Sequence, residues 1–291
     1  MPAESTGATS RERELLAASA SVVASRLMAR AEAQHRGELP AAKRVRSGLP
    51  ALDRLASSWW GLSLLAGAPR CGKTTLAARI ALETARAGGR VLWFAMDGHG
   101  DTPVFRLLSG LARVPARSFF VDRQLTPGQW GAVAEAAKQV SELPLVVVEA
   151  HASTLAELLA AHARAAEAGP FDLVVFDNLA RASRPLLAAL EKFPDELDLA
   201  ALVVLGVADA PGANGAADLA ALDPPQRPGS LQLHLRKLGP SECDQQAEVA
   251  PLLLEVHRVG EGLKRSIDLR MLTRCRWIEE AIGDEPQPPA G

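Results

Sequence analysis

Three cysteines in 291 residues, Cys71, Cys243 and Cys275, are too few and too scattered for a disulfide framework or a CxxC zinc site. They read as free thiols, which suits a reducing cytosol. No apolar run approaches the roughly 20 residues that a membrane helix requires, and no signal-peptide core opens the chain. A cytoplasmic chain with no membrane partner is the expectation. A net charge of −2 gives no global pull on polyanions, so any nucleic-acid contact has to be local. The six histidines lack HExxH or HxxxH spacing, and no GxSxG or Cys/His nucleophile signature stands out. What is present is 48% hydrophobic residues, enough for one substantial core and a small appendage.

From about residue 61 short apolar segments alternate with amphipathic ones, the pattern of a mostly parallel α/β sheet covered by helices on both faces. Expected strands are 62–67, 90–96, 143–150, 172–177, 201–208, 251–258 and 266–273. Thr126 with Gln129, and Thr154 with Glu157, have capping-box spacing and start helices, the second closing at Gly169. VGEG at 259–262 marks a C-terminal hairpin. Thr9 and Glu12 open a sparse apolar stripe at 10–36, read as a linker or docking helix within an N-terminal segment 1–45. The stretch 39–50, with Lys43, Arg44 and Arg46, reads as a solvated connection, and Trp59 and Trp60 as packing residues. Residues 46–282 form the main domain, within which 209–250 reads as long connections with little core. Residues 283–291 read as a disordered tail.

The segment GAPRCGKTT fits GxxxxGK[ST], between an expected strand and an expected helix. Gly67, Ala68, Pro69, Arg70, Cys71, Gly72, Lys73, Thr74 and Thr75 form the expected nucleotide cradle. Gly67 and Gly72 let backbone N–H groups approach phosphate oxygens, Lys73 supplies a point charge, and Thr74 supplies a hydroxyl for Mg²⁺. A second metal-side carboxylate is needed at a neighbouring strand end, and FDLVVFDN places Asp177 there. ATP and Mg²⁺ are the ligands this pattern implies.

The run from SGLPALDRL through GAPRCGKTTLAARIA to RVLWFAMD resembles the ATPase domain of DnaB-type replicative helicases, in the RecA-like superfamily of P-loop motors. FRLLSGLARV, TPGQW, FDLVVFDNLARA, RPGSLQLHLRKLGPSECDQQAEV, LLLEVHRVGEG and SIDLRMLTRCRWIEEA follow in matching order. The resemblance spans roughly 46–282 and implies a RecA-like fold, an oligomeric ring or filament, and two more site residues. The family's water-activating Glu falls on Asp97, and the Arg of its KxR motif, which reaches the neighbouring subunit's nucleotide, falls on Arg258.

Departures from that pattern matter. Asp97 is one methylene shorter than Glu, about 1.5 Å of reach, with His99 or Asp101 as compensating candidates. Ala180 and Val207 or Ala208 stand where the family has sensor glutamines, and Val256 stands in place of the KxR Lys. Between 178 and 200 the basic Arg181, Arg184 and Lys192 face Asp195, Glu196 and Asp198, without a stacking aromatic series, so single-stranded DNA is a doubtful partner. Two readings stay open. One is an ATPase of the helicase class; the other is a catalytically degenerate nucleotide-binding regulator or scaffold acting through a protein partner. A small-molecule kinase has no recognisable acceptor pocket.

Overall fold

The computed structural model describes residues 28, 45–56, 59, 61–97, 99–120, 125–150, 154–179, 190, 199–207, 230–238 and 248–281. The chain divides into two units, Met1–Ala42 and Lys43–Gly291. The expected helix at 10–36 lies outside the described residues except for Met28, which is helical, and so does the tail at 283–291.

The second unit is built on nine described strands in one sheet. In chain order these are β1 (Gly61–Gly67), β2 (Val91–Ala95), β3 (Leu145–Glu149), β4 (Leu173–Asp177), β5 (Ala200–Gly206), β6 (Leu231–Lys237), β7 (Val249–Arg258), β8 (Leu263–Leu272) and β9 (Trp277–Glu280). Their spatial order is β3-β2-β4-β5-β1-β6-β7-β8-β9. Pairing is parallel from β3 through β6 and antiparallel from β6 through β9. The helices are α1 (Pro50–Leu55), α2 (Lys73–Arg86), α3 (Asp101–Ala112), α4 (Ala116–Phe120), α5 (Pro127–Ser141) and α6 (Leu155–Ala165).

The central strands are continuous apolar runs because both their faces are buried. Leu65, Trp93, Val175 and Leu202 join α2 residues Leu76, Ala77 and Ile80 in one core cluster. Their alternates Leu64, Leu92, Phe94, Val174, Phe176 and Val203 join Leu158 of α6 in another. Phe94 and Phe176 stack across β2 and β4 with ring centres 5.2 Å apart. Both capping boxes form: Thr126 N–H donates to Gln129 Oε1 at 2.9 Å and Gln129 N–H returns to Thr126 Oγ1 at 3.3 Å, and Thr154 with Glu157 repeats the pattern. The bonds from Thr154 hold the Glu157 carboxyl below its usual range.

Three expectations need correction. The stretch 209–250 contains β6, which lies between β1 and β7 with Leu231, Leu233 and Leu235 fully buried. Its alternate residues Gln232, His234 and Arg236 are polar, so in sequence it blends into the Pro- and Gly-rich connections around it. WIEE forms β9, which extends the hairpin of β7 and β8 into a meander. The connection at 39–50 is packed from Val45 onward: Val45 and Leu49 are buried, and Ser47 N–H and Oγ both donate to Asp53 Oδ1, at 2.8 and 2.9 Å. Lys43, Arg44 and Trp60 lie outside the described residues, while Trp59 is buried packing as expected.

Trp277 fastens β9 to the helices. The guanidiniums of Arg79 and Arg113 lie 5.2 and 5.5 Å from its ring centre, and Gly110 of α3 packs against the ring. A Cβ at Gly110 would run into Trp277, meeting Cζ3 at 2.9 Å. Helix propensity alone favours Ala over Gly by about 1 kcal/mol, whereas overpacking a rigid ring costs about 1–3 kcal/mol. Gly110→Ala is therefore expected to destabilise the protein, read as a lower urea midpoint at unchanged slope.

Candidate functional site

Parallel strands put their carboxyl ends on one side, and the crevice outside those ends is where such sheets build sites. Gly67, Ala95, Asp177 and Gly206 all end strands there. The P-loop leaves β1 at Gly67, whose backbone lies against β6: a Cβ would collide with the Leu235 carbonyl and approach Cys71 Sγ to 2.9 Å. Gly72, at φ 108°, is in a conformation that disfavours side chains and caps α2, which opens on Lys73. The loop's N–H groups and the positive end of a 14-residue helix thus face the same space. Cys71 and Cys275 are both buried.

Lys73 Nζ donates to Ala68 O at 2.6 Å, so the ammonium already lies across its own loop. Thr74 Oγ1 donates to Asp177 Oδ1 at 3.0 Å, joining the two expected metal-side residues. Asp177 is 4% exposed, and burial pushes its carboxyl up to about 6. The Thr74 bond, the Arg106 charge and the Asn178 N–H oppose that rise, and Asp97 adds to it. Pairing of β2 with β4 sets Asp97 beside the same strand end. His99 N–H donates to its Oδ1 and Asn178 Nδ2 to its Oδ2, both at 3.1 Å. Asn178 holds this geometry at φ 61°.

Lys73, Thr74, Thr75, Asp97 and Asp177 line one cavity of about 1030 Å³, together with Pro69, Arg70 and Gly72 of the loop. His99 and Asp101 are exposed and do not line it. Among the described residues the cavity walls carry seven basic ones, Arg70, Lys73, Arg106, Arg117, Lys237, Arg274 and Arg276, against the acidic Asp97 and Asp177. A chain of net charge −2 thus concentrates positive charge here, which focuses anions into the cleft. Five of these cations and Asn178 were not singled out as site residues from sequence: Arg106, Arg117, Lys237, Arg274 and Arg276 come from α3, α4, β6 and the β8–β9 turn. Only Arg106 leaves a trace, as a charge inside the apolar run VFRLL.

Arg258 lies elsewhere. It pairs with Leu231 at the start of β6, about 20 Å along the strand from Lys237 at the cavity. It is 7% exposed, with Nη1 donating to Leu55 O at 3.4 Å and Nε 3.2 Å from Glu261 Oε1. Of the expected departures, Val207 and Val256 are buried and apolar, whereas Ala180, Ala208 and the basic residues at 181, 184 and 192 lie outside the described residues.

A P-loop at the strand ends of a mostly parallel sheet, with a Thr–Asp pair beside its lysine, is the geometry of a P-loop phosphate-binding domain, here on an α/β sheet of RecA-like fold. The family model for the DnaB-like helicase C-terminal domain matches residues 44–190, and the chain belongs to that family. Among solved structures it is similar to the ATPase domain of G40P, with TM-score 0.70 and 15% identity over 87% of this chain and 98% of that one. It is also similar to a DnaB-like replicative helicase described with its interactions with primase, with TM-score 0.67 and 14% identity over 81% of this chain. The chain spans 63% of that helicase's length. A comparison with curated proteins gave no match.

Proposed function

We propose that the chain is an ATPase that assembles side by side with copies of itself, with ATP at each subunit boundary. The convergence of Lys73, the Thr74–Asp177 pair and Asp97 on one basic cavity carries this reading. Lys73 exchanges the Ala68 carbonyl for β/γ-phosphate oxygens, and the loop N–H groups hold the α/β side. The donor set fits Mg²⁺, since a hydroxyl and a carboxylate already 3.0 Å apart are hard oxygen ligands that leave the other positions to phosphate and water. Thr74 and Asp177 would hold the ion, which when bound would supply positive charge to offset that of the phosphates. Asp97 orients a water for in-line attack on the γ-phosphorus and takes its proton as the bond to the β,γ-bridging oxygen breaks, leaving ADP and phosphate. Arg258 acts in trans, which requires its guanidinium to exchange Leu55 O and Glu261 for the neighbour's γ-phosphate.

Turnover measured with and without single-stranded DNA, while native mass is recorded, tests the proposal. Lys73→Ala is expected to cut turnover by about a hundredfold or more, and ATP is expected to raise the mass. The second reading, a nucleotide-bound regulator, draws on the two donors that already occupy Asp97 and on the apolar Val207 and Val256. Tight ATP binding with wild-type turnover no higher than that of Lys73→Ala would select it; turnover stimulated by single-stranded DNA would exclude it.

A further inference from the structure

The crown of the phosphate loop is a tight turn. Cys71 N–H donates to Ala68 O at 3.4 Å across Pro69 and Arg70, and Arg70 stands at φ 63°. Proline second and a left-handed residue third are the marks of a type II turn, whose third position favours Gly or Asn because a Cβ there crowds the backbone. Arginine is the costlier choice, and nothing in the turn calls for it. Arg113, left-handed at φ 53°, is held by the Trp277 ring and by Glu279 at 3.5 Å. Arg70 has no such anchor: it is exposed, and among the described residues its side chain makes no hydrogen bond, ion pair or ring contact. A cation kept in a strained conformation without a partner is a device for meeting a ligand.

The turn also fixes which part of a ligand Arg70 meets. Ala68 O, which closes the turn, is the atom that accepts from Lys73 Nζ at 2.6 Å, and Arg70 lines the cavity with Lys73, Thr74 and Asp97. The turn therefore stands at the end of the loop where Lys73 meets β- and γ-phosphate oxygens. Arg258, the cation expected there from a neighbouring copy, is buried on its own subunit, whereas Arg70 is already in place. We propose that the Arg70 guanidinium donates hydrogen bonds to the γ-phosphate of the nucleotide held by its own loop and acts there as a catalytic cation in cis. As the water oxygen bonds to the γ-phosphorus, the water proton passes to Asp97 and the electron pair of the broken bond stays on the bridging oxygen of ADP. Arg70 keeps its own protons and offsets the charge spread over the transferring group. The catalytic part rests on the ATPase reading; the γ-phosphate contact does not.

Arg70→Asn tests this, because Asn suits the left-handed backbone and removes the cation. The measurements are steady-state hydrolysis, equilibrium dialysis of ADP and of the nonhydrolysable β,γ-imido analogue of ATP, all with Mg²⁺, and thermal unfolding of the ligand-free protein. The variant is expected to lose about a hundredfold in kcat and severalfold in affinity for the analogue, to bind ADP as wild type does, and to unfold at no lower temperature. Arg70→Lys is expected to recover only part of kcat, since an ammonium lacks the planar fork. Unchanged kcat, a loss of ADP affinity equal to that for the analogue, or earlier unfolding of Arg70→Asn would overturn the proposal. Should wild type bind nucleotide without turnover, the ATPase reading falls, and the analogue-against-ADP comparison still decides whether Arg70 meets the γ-phosphate. If wild type binds neither nucleotide, both fall.

Discussion

Asp177→Asn is expected to abolish most activity and yet make the ligand-free protein more stable at neutral pH. On the ATPase proposal, removing the carboxylate assigned to the metal side is expected to cost about 10- to 100-fold in metal affinity or turnover. The stability change has the opposite sign because the carboxyl pKa is raised from 3.8 to about 6 in the folded chain. A raised pKa means that the folded state holds the proton more tightly than the unfolded one. The associated stability is fully present below about pH 3.8, declines as pH rises, and is lost above about pH 6. At about 1.4 kcal/mol per unit this amounts to on the order of 2–3 kcal/mol. Asn keeps an acceptor for Thr74 and carries no charge to bury. Urea midpoints measured with EDTA at pH 4 and pH 7.5 check this: the two proteins should match at the lower pH, and the variant should be more stable at the higher. A variant less stable at pH 7.5 would show that the carboxylate is held by more than Thr74.

Asp97→Glu is expected to raise turnover by about 10- to 100-fold, with Asp97→Ala as the floor. The carboxylate emerges two residues beyond β2 and is drawn sideways by Asn178 at 3.1 Å. Glu extends it by about 1.5 Å, and a displacement of about 1 Å in a reacting group is worth about a hundredfold. Steady-state ATP hydrolysis under saturating Mg²⁺ measures the change. A Glu variant no faster than wild type would mean that the cavity already brings water to Asp97, and the short side chain is then fitted to its place.

What could be read from sequence was local in origin. The P-loop, Asp177 at its strand end, both capping boxes and the hairpin turn each depend on residues within a few positions of one another, so their spacing is written along the chain. β6 was hidden because half its residues are polar, and what settles its place is the hydrogen bonding of β1 on one side and β7 on the other. The arginine wall was hidden for a different reason. Arg106, Arg117 and Arg276 come from three elements that meet only when β9 is drawn onto α2 and α3 by Trp277, and no spacing encodes a meeting of that kind. The reading of 39–50 as a connection fails from Val45 onward: its basic residues and prolines suggest a linker, whereas Ser47, Leu49 and Asp53 form a small hydrogen-bonded knot.

The close backing of Gly67 onto Leu235 makes β6 the floor of the phosphate loop. The same strand pairs, at its opposite end, with the residue assigned to the neighbouring copy's nucleotide. One pair of hydrogen-bonded strands therefore acts as a ruler: it fixes how far a subunit's own phosphate loop stands from its buried Arg258. In an assembly of identical copies that length sets the step from one nucleotide to the next, so a bulge or slip in the β6–β7 register would change the pitch of the whole array and leave every individual cradle intact.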